Sequence, residues 1–268
     1  MKLSISNIAW SNEHDDEIYE FLSKTGFTGL EIAPTRIFPE APYDKLTEAT
    51  GFKNKLLKQY NLKISSMQSI WFGITESIFG GESDRRSLVD YTKKAIDFAE
   101  AAGCPNLVFG CPKNRIIPET MSLDECQTIA VDFFNRIGDY AAIKNTYISI
   151  EANPTIYGTN FINTTAQALE LNEQISNPGI RVNLDLGTII HNNEGDQLQG
   201  DDIRHINHVH ISEPRLVPLE KRRLHINLIK ELKSFGYDRY ISIEMGNNDD
   251  LDIVENTILY IKDVYENI

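Results

Sequence analysis

The feature that most constrains this chain is an alternation kept up from end to end: a short run rich in Ile, Val and Leu, then a longer amphipathic stretch, then another short apolar run. Eight such runs read as strands, at Leu3 to Ile8, Gly29 to Ala33, Lys63 to Met67, Asn106 to Phe109, Tyr147 to Glu151, Arg181 to Leu186, His205 to Ile211 and Tyr240 to Met245. Each precedes a segment of helical periodicity, the signature of βα units feeding a parallel sheet. KKAIDFAEAAG stops at Gly103, and SLDECQTIAVDFFNRIGDYAAI opens on the capping-box spacing Ser122-x-x-Glu125. Thr164-x-x-Gln167 repeats that spacing, and DIVENTILYIKDVYENI reads as a closing helix. With no Pro/Gly/Ser-rich linker between halves, the economical topology is one α/β domain over residues 1–268, a single (β/α)8 TIM barrel. A doubly wound open sheet is the alternative; it would usually carry a Gly-rich phosphate turn after its first strand, where SNIAWSNEHDD has none.

Composition narrows the partners. With 39 acidic against 26 basic residues the net charge is −13, which disfavours nucleic acid or an anionic bilayer as a general partner, since reading a phosphate backbone needs a basic face. Cys104, Cys111 and Cys126 form no disulfide framework and no Cys-x-x-Cys pair, so they read as reduced thiols, Cys104 and Cys111 as packing residues. No basic leader runs into an apolar stretch, and no apolar run reaches 18 residues. The expectation is a cytoplasmic protein without membrane insertion.

In a barrel of this kind the chemistry sits at the carboxyl ends of the strands. YISIE ends at Glu151, RVNLD at Asp185, and the second YISIE at Glu244, while NHVHI carries His208 and His210. Residues two apart share a strand face, and His210, nearer the carboxyl end, is the one expected at the mouth. A single acid at a strand end reads equally well as a helix cap or an arginine partner. Such residues on four consecutive strands converge three carboxylates on one rim, and a divalent cation relieves their burial and repulsion. Three carboxylates with one imidazole and no thiolate suit Mn²⁺, Mg²⁺ or Co²⁺ and admit Zn²⁺.

SIEANP, NLDLGT, HVHISEP and SIEMG resemble the Glu, Asp, His, Glu strand-end pattern of the xylose isomerase-like TIM barrels, a superfamily of sugar isomerases, keto-sugar 3-epimerases, inosose dehydratase and endonuclease IV. The resemblance covers essentially the whole chain and is most specific in its second half. It implies that Glu151, Asp185, His210 and Glu244 bind one divalent metal. In the epimerase and isomerase members the two glutamates double as the acid/base pair, so Glu151 and Glu244 are the expected catalytic residues. The implied activity is a metal-dependent sugar or sugar phosphate isomerase or epimerase working through a metal-stabilised enediolate. Base and Lewis acid would each contribute roughly 10²-fold or more.

The chain departs from the family pattern in two places. Thr188 stands where epimerases usually carry a histidine, with His191 three residues on, and ANPTIYG lacks the acidic residue that tends to follow the strand-five glutamate. Both departures touch sugar recognition and leave the particular sugar open. HISEPR supplies Glu213 and Arg215, where the family often has a Glu and an Arg, as candidate substrate contacts.

VFGCPKNR places Lys113 and Arg115 in a mouth loop, where with Arg36 they would meet a phosphate or carboxylate. Trp10 and Trp71 follow strands one and three and could stack on a sugar ring; packing under a loop is the default for each. Glu31 and Gln68 also lie near strand ends as weaker candidates, and His205, His208 and His225 read as structural. The expected partner is a small sugar or sugar derivative, anionic if those cations point inward. Barrels of this family often pair into homodimers or homotetramers, and nothing in the apolar pattern marks the face used. The rival functions are an inosose dehydratase-like metal-dependent lyase and a non-catalytic sugar-binding barrel. A phosphodiesterase like endonuclease IV is disfavoured, because it needs several zincs and extra histidines on the first three strands, and SISNIAW, GLEIAP and SSMQS have none.

Overall fold

The structure is a computed structural model and describes residues 1–195 and 200–268. Its strands are β1 (Lys2–Ser6), β2 (Gly29–Ile32), β3 (Lys63–Met67), β4 (Asn106–Phe109), β5 (Tyr147–Glu151), β6 (Ile180–Asp185), β7 (Ile206–Ser212) and β8 (Tyr240–Glu244). They pair in parallel in chain order, and β8 pairs back onto β1, closing the barrel. The outer layer comprises α1 (Asp15–Thr25), the short α2 (Pro34–Ile37), α3 (Leu46–Tyr60), α4 (Glu82–Ala102), α5 (Leu123–Ile143), α6 (Thr165–Ile175), α7 (Leu186–Asn192), α8 (Arg223–Ser234) and α9 (Leu251–Glu266). The chain is thus a single (β/α)8 TIM barrel, as its alternation indicates.

Strand ends move by a residue or two from their sequence-based limits, for local reasons. β1 stops at Ser6 rather than Ile8 because the Ser6 hydroxyl accepts from the Ile8 N–H and starts a 3-10 turn. β6 stops at Asp185 because that carboxylate caps α7, accepting the Thr188 N–H at 2.8 Å, so Leu186 is already helical. Both capping boxes form, Ser122 with Glu125 and Thr164 with Gln167, and α4 ends on Gly103 at φ 64°.

Alternation along the strands sends one set of side chains out to the helices and the other into the lumen. Ile5, Leu30, Ile148, Val182, Val209 and Ile241 are buried in the apolar core. The lumen, unlike the branched apolar filling usual for this fold, is largely polar. Ser4 and Ser65 hydroxyls lie 2.6 Å apart, and Asn106 donates to Ser66 (2.9 Å) while accepting from Ser149 (2.5 Å) and from Asn207 (2.6 Å) across the barrel. Buried polar groups are tolerated when paired in this way, and they form the floor beneath the strand-end residues.

One close approach anchors the entry to β6. A Cβ on Gly179 would sit 2.0 Å from the carbonyl oxygen of Gly138 in α5. Gly179→Ala is therefore expected to destabilise the fold by about 3 kcal/mol or more in denaturant unfolding, since backbone rather than a flexible side chain must move. Gly51→Ala in α3, where a Cβ meets open space, serves as the control and is expected to be neutral or stabilising by about 0.5–1 kcal/mol. Equal unfolding midpoints for Gly179→Ala and the unsubstituted chain would refute the clash.

Candidate metal centre

Register brings four polar strand ends to one mouth. Asp185 lies opposite His210, Glu151 opposite Asn183, and Ser212 opposite Glu244. Ligand atoms of Glu151, Asp185, His210 and Glu244 all fall within 4.8 Å of one another, and these residues could hold a metal ion. His210 Nδ1 lies 2.9 Å from Glu151 Oε1 and 3.1 Å from Glu244 Oε2. His210 is fully buried, and Glu151 and Glu244, each 8% exposed, open with the half-buried Asp185 onto a cavity of about 380 Å³.

Glu151 and Asp185 are braced by neighbours. Asn183 Nδ2 donates to Glu151 Oε1 at 2.7 Å, and Asn153 Nδ2 donates to Oε2 at 3.0 Å. Asp185 accepts from the Thr188 backbone and from the Ser212 hydroxyl in a short hydrogen bond. Thr188 thus has a helix-capping part at the place where the family's epimerases carry histidine.

Crowding drives the protonation states of the metal-free chain apart. Burial pushes Glu244 up to about 7, with Glu151 and Glu31 adding to the shift and His210 opposing it. Asp185 is raised by burial and by the charge of Glu151. Burial would raise Glu151 too, but His210, Asn153 and Asn183 outweigh it and hold this carboxyl below its ordinary value. Burial depresses His210, yet Glu244, Glu31 and Glu151 together carry it well above the usual imidazole range. The donor set fits a divalent cation: three oxygen-donor acids and one imidazole, short of positive charge and free of thiolates.

The remaining sequence candidates divide. Lys113 and Trp71 line the same cavity, along with Phe72, Tyr157 and Leu216. Lys113 is exposed. Trp71 is mostly core: its indole N–H donates to Thr92 at 3.0 Å and its ring packs edge-on against Phe109 and Phe133. Trp10 lines an adjacent groove with Arg36, is itself buried, and donates to Asp15 at 2.9 Å. Arg36 is likewise tied to Asp15 and to the Trp10 carbonyl.

Arg115 does not lie open in the mouth loop. It is fully buried, with Nη2 donating to the Glu151 carbonyl (2.9 Å) and to Asn153 Oδ1 (2.7 Å), so it braces the residue that braces Glu151. Glu213 turns away from the cavity and is held by Arg222 at 2.6 and 2.8 Å, not by Arg215. Arg215 is exposed at φ 64°, and His191 is exposed on α7; neither lines the cavity. These residues belong to loops and helix turns, where the two-residue strand period that singles out the four ligand candidates no longer applies.

Sequence reasoning gave little weight to Glu31 and passed over Asn183. Glu31 is fully buried, with Oε2 3.0 Å from Nε2 of both His208 and His210. Asn183 could have been found from its spacing, two residues before Asp185 on the same strand face.

Fold and site together define a TIM barrel with a candidate divalent-cation centre at the carboxyl ends of its last four strands. The chain belongs to the xylose isomerase-like TIM barrel family, whose model matches residues 19–264. Comparison with curated proteins finds no match. Among solved structures the chain is similar to 3-keto-D-glucoside 4-epimerase, YcjR, from E. coli (18% identity, 98% of this chain and 99% of that one, TM-score 0.78). It is also similar to an AP endonuclease, family 2, from Brucella melitensis (21%, 97% and 98%, TM-score 0.75) and to the IolI protein with a bound zinc atom (17%, 100% and 99%, TM-score 0.72). At these identities the likeness is one of fold. Among the described residues no helix is long and apolar enough to cross a membrane.

Proposed function

We propose that this protein is a metal-dependent sugar isomerase or epimerase, with Glu151, Asp185, His210 and Glu244 holding one divalent cation and Glu151 and Glu244 moving protons. The observation that carries this reading is the convergence of those two glutamates, in unlike environments, on one cation-sized cluster at the floor of a cavity. Pairs of carboxyls pushed apart in proton affinity are the arrangement in which one acts as base and the other as acid. Glu151, hydrogen-bonded on both oxygens and held ionised, takes the proton from the carbon beside the sugar carbonyl. Glu244, the second glutamate of the cluster, returns a proton: to the opposite face of the same carbon in an epimerase, or to the neighbouring carbon in an isomerase. A bound divalent cation supplies Lewis-acid stabilisation of the negative oxygen that develops next to the carbonyl. Trp71, Tyr157 and Phe72 wall the cavity with aromatic surface suited to the apolar side of a sugar ring, and Lys113 offers a cation to an acidic or phosphorylated one. The similar structures include a keto-glucoside epimerase and a zinc-bound protein, which supports both halves of the reading.

Incubation in D₂O with a panel of ketoses, aldoses and sugar phosphates, with and without Mn²⁺, tests it. Cation-dependent deuterium at the carbon next to the carbonyl is the expected result. Loss of water from the sugar would make the protein a lyase, and saturable sugar binding with no deuterium anywhere in the panel would make it a binding protein. On a phosphorylated substrate, Lys113→Met is expected to raise KM about tenfold with little change in kcat, and to leave a neutral sugar unaffected. Equal KM values on the phosphorylated sugar would remove Lys113 from recognition.

A further inference from the structure

We propose that Glu31 is the positioning residue that presents His210 to the cation, an inference resting on the metal centre proposed above but not on any turnover. Glu31 stands on β2, across the lumen from β7, and both its side chain and that of His210 have no solvent exposure. Its Oε2 accepts from His210 Nε2 at 3.0 Å, while the other ring nitrogen, Nδ1, faces Glu151 and Glu244. A neutral imidazole carries one N–H, and an ionised carboxylate can only accept. When a cation takes Nδ1, the one remaining proton stays on Nε2, held by Glu31, whose charge makes Nδ1 a stronger donor.

Glu31 is itself held, since Gln68 Nε2 reaches Oε1 at 3.4 Å and bonds the Ser6 hydroxyl at 2.6 Å. His208 Nε2 also lies 3.0 Å from Oε2, but off the line of a hydrogen bond, and it has no hydrogen-bond partner. The two rings stand nearly perpendicular, 88° apart with centroids at 5.3 Å, and of the two only one has Glu31 Oε2 in line with its N–H. His210 has it.

Glu31, His208 and His210 also form a set that could hold a second ion by themselves. That arrangement would leave His210 shared between two cations through both ring nitrogens, and it offers one carboxylate charge against a dication. The hydrogen-bonded brace needs neither.

The test uses the full chain and the metal alone, Mn²⁺ or Zn²⁺ by calorimetry, with no sugar present. The unsubstituted protein is expected to take up one ion per chain. Glu31→Gln, which keeps the shape and an acceptor oxygen but not the charge, is expected to weaken uptake about 10-fold, and Glu31→Ala about 100-fold. In the Zn²⁺-loaded protein, the His210 Nε2 proton resonance is expected to move upfield from its carboxylate-bonded position in Glu31→Gln. A purely structural part for Glu31 would lower the unfolding midpoint without moving that resonance. Unchanged affinity in Glu31→Gln, or two ions per chain in the unsubstituted protein, overturns the inference alone. Absence of uptake by the unsubstituted protein overturns the metal centre and this inference with it. Should Glu31→Ala fail to fold, Glu31→Gln decides.

Discussion

Glu244→Gln is expected to retain the cation and to lose product formation by 10²- to 10⁴-fold, the range ascribed to a positioned acid or base. The amide keeps a donor oxygen at the place where Glu244 Oε2 lies 3.1 Å from His210 Nδ1, so the cluster is not dismantled. What it lacks is a proton that can be given and taken. Because Glu151 is the residue held ionised, its half of the reaction survives: substrate hydrogen still washes out into D₂O from the Glu151 face while no product accumulates. Glu151→Gln is expected to lose both washout and product. This difference between the two variants, read by mass spectrometry of recovered sugar, separates the roles of two acids in a way that a loss of rate cannot. Product formation at the unsubstituted rate in either variant would remove that glutamate from the chemistry, and equal washout in both would remove the assignment of base and acid.

The metal-free chain is expected to lose stability as pH rises from about 5 to 8, and a divalent cation is expected to restore it. Glu244 has its folded value raised from 4.5 to about 7, so across that window the folded chain holds a proton that the unfolded chain has released. The folded state is disfavoured by an amount of order 3 kcal/mol once pH exceeds the folded value. Asp185, also raised, acts in the same direction. His210, raised above the ordinary imidazole value of 6.5, contributes stability that is full below that value and is lost as pH climbs through its folded one. Glu31 and Glu151, both lowered, work the other way: their contribution is present above about 4.5 and lost in acid, which sets the lower edge of the stable range. A bound dication takes the place of the protons held by the cluster, so the gain in Tm on adding Mn²⁺ should grow between pH 5.5 and pH 8. At a free cation concentration of 100 Kd that gain corresponds to about 2.7 kcal/mol. A metal-free Tm that rises with pH, or a cation-induced shift that is the same at both ends, would show that the four side chains do not titrate as a crowded buried cluster.

The two kinds of residue around this centre were legible to different degrees. Glu151, Asp185, His210 and Glu244 each end an apolar strand, and a period of two tells which neighbour shares their face; that is why Asn183 was within reach and His210 could be preferred to His208. The capping pairs Ser122–Glu125 and Thr164–Gln167 were equally local, because a cap is decided within four residues. Arg115 reads as a solvent-facing cation in VFGCPKNR, and only its burial against the Glu151 carbonyl and Asn153 shows it to be a brace. Glu213 and Arg215 sit two apart in HISEPR, yet the partner of Glu213 is Arg222, brought round by the start of α8.

From the chain alone came the barrel, the order of its strands and the identity of the strand-end acids, because periodicity and strand termini are written over a few consecutive residues. Closure decided the rest. Which carboxylate stands behind His210 depends on β2 facing β7 across the lumen, a pairing of residues 179 positions apart that no local pattern encodes.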